Sequence, residues 1–406
     1  MDRVVITGYG IKAPGIRNPD QFKEVLETGT CTQEILKGMG PYDSDIVCGV
    51  IHDDFQVIDG KNYRKNPRNN RLAIAATVDA MEMARVPKNN EARMAILLGT
   101  GAGSLYETEK LANISTNGDF RKFPVYGAGL TNTHSLASGV AAHFGCSGMV
   151  YTVSSGCTST LDVVLLGKLL LETNQADICI VGGADAAICK TCIFSFAKLG
   201  TIALDKGVDE TGIPFGPGND FVISEGAGIL IMERENDAIR RGADIYSVID
   251  AICSNNDAIS INQSDPTGTK MLEALKGAVG DTKPSYVNSQ ALGLIANDSA
   301  DSFAHRSLFG NSVPITSIKG NIGQPLAAAG SIQVISALVS MQYGFIPPTI
   351  KTSLEYYDLP IVLEPVYCNV SSVAITSHGY GGNNTCIRIS KYESINDFTC
   401  IDIRRS

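Results

Sequence analysis

The sequence predicts an α/β fold in two related halves, framed by a mainly parallel sheet. Three observations carry that prediction. Short β-rich runs bounded by glycine or serine alternate with longer helical patterns, as βαβ units require. The same alternation returns in the second half, from about Ala243. At 406 residues, with 44% hydrophobic and 18% charged, the chain is long enough for two fused domains and apolar enough to bury a large interior.

Taken in order, the runs Val4–Thr7, Ala95–Leu98, Met149–Val153 and Ile178–Val181 suit buried strands, with helical stretches at Leu72–Ala84 and Leu161–Thr173. In the second half, Ile245–Ile249, Tyr286–Asn288, Pro314–Ile318 and Val373–Thr376 are strand-like. Helices are expected around Lys270–Val279 and Ser331–Tyr343. The division falls at residues 1–240 and 241–406. No low-complexity linker separates them, so the halves are expected to pack as one body.

A formal net charge of −9 argues against nucleic acid as a main partner. No stretch of about 20 uninterrupted apolar residues is present, so no membrane span is expected. The N-terminus reads as a strand entering a turn, without a signal-peptide pattern, and a cytoplasmic protein is expected. The 11 cysteines are odd in number and scattered. The CxxC pair Cys189 and Cys192 has no matching partner segment, so reduced thiols are expected and no metal site.

One cysteine stands apart. Tyr151-Thr-Val-Ser-Ser-Gly-Cys157-Thr-Ser-Thr-Leu-Asp162 runs from a strand through small residues into a helix whose Leu161, Val164, Leu165, Leu169 and Leu170 fit one buried face. Cys157 then sits at a helix N-terminus, where unpaired N–H groups and the helix dipole favour a thiolate. Its own N–H is a candidate donor to a thioester oxyanion. On this pattern alone, a buried structural cysteine and a nucleophile stand about level.

The segment SSGCTSTLD resembles the nucleophile region of β-ketoacyl-acyl carrier protein synthases of the type I/II group, including polyketide ketosynthases. Further segments resemble the family in the same order: MDRVVITGYGI, ADICIVGGADA, FVISEGAG around a structural glutamate (Glu225), SIKGNIGQPLAAAGSIQVI and SHGYGGNNT. The resemblance spans nearly the whole chain. It implies a thiolase-like fold, a duplicated five-layer α-β-α-β-α arrangement, usually dimeric. It also implies that Cys157 takes an acyl group from the phosphopantetheine arm of an acyl carrier protein, with no permanently bound cofactor. Malonyl-carrier protein is then decarboxylated, and its carbanion attacks the acyl-cysteine. In the family two histidines donate hydrogen bonds to the malonyl thioester oxygen.

Both histidine positions differ here. They read Gln290, in Val287-Asn-Ser-Gln290-Ala-Leu, and Gln324, in Ile322-Gly-Gln324-Pro, so Cys-Gln-Gln stands in place of Cys-His-His. Lys319, the lysine that precedes the second position, is present. Glutamine can still donate a hydrogen bond but cannot take a proton. His378 occupies a position where the family usually carries an aromatic ring, as a substitute base or donor, or as a ring of the same shape. Tyr380 matches the gating aromatic, and its N–H is the expected second oxyanion donor.

Between residues 61 and 71 lie Lys61, Arg64, Lys65, Arg68 and Arg71 with no acidic residue among them, either a docking patch for an acidic carrier protein or a solvated loop. The expected function is that of a β-ketoacyl synthase-like acyltransferase of fatty acid or polyketide biosynthesis, as a homodimer or a heterodimer with another ketosynthase. Condensation, transfer to another acceptor and malonyl decarboxylation remain open as the second half-reaction. The alternative is a non-catalytic, chain-length-factor-like partner subunit. Such subunits usually lose the cysteine, which this chain keeps.

Overall fold

The fold was analysed in a computed structural model that describes residues 2–53, 55, 64–87 and 93–393. In the first half, strands β1 (Val4–Lys12), β2 (Met94–Gly99), β3 (Met149–Val153), β4 (Ile178–Asp185) and β5 (Gly226–Arg234) lie in the order β1-β5-β4-β2-β3. In the second, β6 (Ser247–Asn256), β7 (Tyr286–Asn288), β8 (Ile315–Thr316), β9 (Ser372–His378) and β10 (Asn383–Lys391) lie in the order β6-β10-β9-β7-β8. Both half-sheets therefore run first-fifth-fourth-second-third. The directions also match, with the first two pairings antiparallel and the last two parallel. The halves join where Val5 of β1 pairs with Val248 of β6, making ten strands continuous.

Helices fill three layers. Helices α1 (Arg68–Met83) and α2 (Ser135–Phe144) cover the outer face of the first half-sheet. Helix α3 (Ser159–Glu172) lies between the half-sheets, and α4 (Lys190–Lys198) follows β4. Helices α5 (Thr269–Val279) and α6 (Ile295–Phe309) pack on each other over the outer face of the second half-sheet, and α7 (Ala329–Tyr343) packs against α3 in the middle. The inner strands are buried on both faces, so successive residues serve different cores. On β2, Ala95 and Leu97 face the central layer with Leu161 and Ile335, while Ile96 and Leu98 face the outer one with Leu72 and Leu136. This is the five-layer α-β-α-β-α arrangement.

The stretch Leu326–Tyr343 is long and apolar enough to cross a membrane, but 89% of it is buried as the central helix. Several strands outrun their sequence-predicted ends, β1 reaching Lys12 and β4 reaching Asp185. Strand β10 carried no separate strand prediction. It opens on three polar residues, Asn383-Asn384-Thr385, and pairs along its whole length with β6 and from Asn384 to Ser390 with β9.

Candidate active site

Cys157 sits in a 3-10 turn, Gly156–Thr158, that links β3 to α3. Gly156 turns the chain at φ +75, a conformation that costs a side-chain-bearing residue energy. Short polar side chains then lock the turn. The Ser155 N–H donates to Ser159 Oγ at 2.9 Å, and Thr158 Oγ1 donates to Asp162 Oδ2 at 2.8 Å. Asn383 Nδ2 donates to the Ser155 carbonyl at 2.9 Å, and Ser377 Oγ to that of Cys157 at 3.2 Å. The small residues of this segment thus serve geometry as well as reactivity.

Four segments converge on the cysteine from the C-terminal ends of parallel strands, where α/β sheets place their ligands. Cys157 follows β3, Gln290 follows β7, Lys319 and Gln324 follow β8, and His378 ends β9. They surround a pocket of about 430 Å³ whose wall includes Cys157, Gln290, Gln324, His378 and Tyr380. A Cβ on Gly379 would stand 2.9 Å from Cys157 Cβ and 3.0 Å from its Sγ, so only glycine leaves the sulfur room. The Tyr380 ring packs on Phe196 at 5.7 Å between centroids, and both line the pocket. Phe194, two residues before Phe196, is 42% exposed and does not line it.

The thiol departs from the helix-start expectation. Cys157 keeps a partly open face toward the pocket, yet the protein surrounds it closely enough that desolvation dominates and pushes the thiol up to about 11. A hydrogen bond with the Gln324 side chain and the nearby Lys319 oppose this shift, and buried Asp185 reinforces it. Asp185 is fixed by four donors: Thr100 Oγ1 and the N–H groups of Gly101, Ala102 and Ala327. Burial pushes the Lys319 amine down to about 7, and its Nζ has no hydrogen-bond partner among the described residues.

Gln290 is fully buried with both side-chain polar atoms unpartnered, and Gln324 leaves its Oε1 unpartnered. Orphaned buried amides are costly in a finished core, and here they line a pocket. The chemistry available is hydrogen bonding to an acyl thioester without proton transfer at either glutamine. His305 is buried on α6 with its ring pushed down to about 4 by desolvation, a packing residue.

The basic run divides. Arg64 and Lys65 are exposed, and Arg71 is half-buried, lining a cleft with Arg64 and Glu107. Arg68 corrects the docking expectation. Its guanidinium faces inward, with Nη2 donating to Glu225 Oε2 at 2.7 Å, and the two side chains are 14% and 4% exposed. Glu225 also accepts from the Ile51 N–H at 3.0 Å, which ties the start of α1 to the Glu225 loop. Lys61 lies outside the described residues.

Residues 1–238 match the β-ketoacyl synthase N-terminal domain and residues 246–353 the C-terminal domain of that family. The chain is 28% identical over 368 residues to the tetracenomycin polyketide synthase ketoacyl synthase alpha subunit of Streptomyces glaucescens, covering 86% of each chain. A chain from a type II polyketide synthase acyl carrier protein in complex with its ketosynthase superposes with a TM-score of 0.87. It is 24% identical, with 97% of this chain and 100% of that one covered. A chain of the Xenorhabdus doucetiae ketosynthase in complex with its chain length factor gives a TM-score of 0.84 at 20% identity, covering 96% and 98%.

Proposed function

This chain belongs to the β-ketoacyl synthase family, and we propose that it is a carrier-protein-dependent acyltransferase acting in the cytoplasm in polyketide or fatty acid assembly. Cys157 takes an acyl group from a carrier-protein phosphopantetheine thioester and holds it in the pocket that Gln290, Gln324 and Tyr380 line. The observation that carries this reading is the cysteine itself, held at the pocket floor with Gly379 leaving its sulfur open. Its thiol at about 11 leaves about one molecule in 10,000 as thiolate at pH 7, so the proton leaves during attack. Of the basic run, Arg64 and Lys65 are exposed, and an acidic carrier would dock against that segment. Incubation with an acyl-carrier protein followed by intact-protein mass measurement tests the reading. It expects an acyl adduct on Cys157 and none on Cys157→Ala.

A second reading, a chain-length-factor-like partner without catalysis, draws support from the raised thiol and from two glutamines that cannot take a proton. Co-purification with a second ketosynthase subunit, together with failure to load, would favour it. In either reading the chain works as a homodimer or in a heterodimer with another ketosynthase.

A further inference from the structure

Among the described residues, an ionisable pair stands at the pocket wall that the glutamine substitutions leave unexplained, His378 lining the pocket and Asp301 behind it. His378 is 1% exposed, and its Nε2 lies 3.4 Å from Oδ1 of Asp301, a buried residue of α6. Oδ2 of Asp301 accepts from the hydroxyls of Ser289 and, at 3.0 Å, Thr376. Burial pushes this carboxyl up, but the His378 ring and the two hydroxyls outweigh it and hold the group below the usual carboxylate range. An ionised buried carboxylate needs a partner; among the described residues Oδ1 makes no hydrogen bond, and Nε2 of His378, likewise without one, faces it at 3.4 Å. The second ring nitrogen, Nδ1, stands 3.1 Å from Nδ2 of Asn297, and both residues line the pocket. An Asp–His pair aimed at a pocket is the arrangement of a general base and its orienting group.

Its placement separates it from the thiol. Ser377 and Gly379 touch Cys157, and strand alternation turns His378 to the other face of β9. The ring therefore serves the space where a second substrate would lie. Among the described residues, those lining that space include no Asp, Glu, Lys or Arg; polar neutral groups such as Thr201, Asn219, Asn262, Gln263 and Ser264 line it instead. Such a wall suits a neutral acceptor.

The geometry points to His378, oriented by Asp301, as the base that takes the proton of a hydroxyl acceptor attacking the acyl group on Cys157. This inference rests on the acylation of Cys157 proposed above and assigns the second half-reaction as acyl transfer to oxygen. With the Nε2–H side of the ring facing Asp301, Nδ1 is the ring's acceptor; the hydroxyl takes the place of the donating Asn297 amide there and gives Nδ1 its proton as the oxygen bonds to the acyl carbon. The bond from that carbon to the Cys157 sulfur then breaks; the departing thiolate takes a proton from water in the pocket, and the imidazolium gives its own proton back to water. The ester leaves, and thiol and neutral imidazole are regenerated. His378 acts on the acceptor directly, and Asp301 is a positioning residue.

The test uses the full chain loaded with butyryl-pantetheine and freed of excess, with glycerol as the acceptor and single-turnover loss of the butyryl mass as the readout. The native chain yields butyryl-glycerol. His378→Phe, which keeps a ring in place, slows transfer from the loaded enzyme by about 100-fold or more, the usual contribution of a general base. Asp301→Asn slows it by about tenfold or more, and Asp301→Glu, which keeps the carboxylate, recovers most of the rate; a merely structural role would not separate these two variants. Transfer from loaded His378→Phe at the native rate overturns the inference, as does a loaded native chain that forms no butyryl-glycerol. A native chain that never loads contradicts the acylation of Cys157 instead, a distinct failure.

Discussion

Replacing Arg68 with Met separates a structural arginine from a docking one. Arg68 places two guanidinium nitrogens on the Glu225 carboxylate and a third contact on the Ile51 carbonyl, with both side chains nearly out of solvent. After substitution, Glu225 keeps only the Ile51 N–H at 3.0 Å. Removing one partner of a buried ion pair costs about 3–5 kcal/mol, because the other charge is left uncompensated. For 406 residues at ~2.1 cal/mol/K of unfolding entropy each, that is a fall in Tm of about 5 °C. The fall is about 8 °C if the first half unfolds by itself. Thermal unfolding followed by circular dichroism reads this directly. The double replacement Arg68→Met with Glu225→Leu should recover most of the loss, and Arg64→Ala and Lys65→Ala should leave Tm within a degree or two. An unchanged Tm for Arg68→Met, combined with weaker carrier-protein binding, would refute the reasoning and return Arg68 to the docking surface.

Three more outcomes are expected. Alkylation of Cys157 by iodoacetamide, followed by peptide mapping because Cys368 is also exposed, should rise about tenfold per pH unit from 7 to 10. The thiolate is the reactive form and the thiol stands at about 11; a plateau below pH 9 would contradict that. Gly379→Ala should block acylation and cost about 1–3 kcal/mol by overpacking against Cys157. Gly129→Ala, where nothing lies within 4 Å of the added carbon, should change neither acyl mass nor Tm. Gln290→His with Gln324→His should raise β-ketoacyl product from malonyl-carrier protein by on the order of 100-fold, as regained donors and bases would. No gain would place the pocket's second reaction elsewhere.

Much of the fold was legible because strands buried on both faces leave long apolar runs, as in Ile178–Val181, and the central helices leave leucine and alanine patterns. The strand–glycine–cysteine–helix order likewise located Cys157 at a turn. Three features depended on contacts between residues far apart in the chain. Arg68 and Glu225 are 157 residues apart, so a basic run read locally looks like a surface patch. Asp301 was missed because only the fold brings α6 behind the end of β9. The trace in the sequence was a pair of acidic residues, Asp298 and Asp301, on a helix face shared with Ala300, Ala304 and His305. The thiol's direction of shift was also illegible: a helix start lowers it, burial raises it, and only the packing decides which is larger.

The most direct test of the central claim is intact-protein mass measurement after incubation with an acyl-carrier protein. The account predicts one acyl mass per chain, mapped to Cys157 and absent from Cys157→Ala. A folded native chain that gains no mass, or gains it equally in Cys157→Ala, would contradict it.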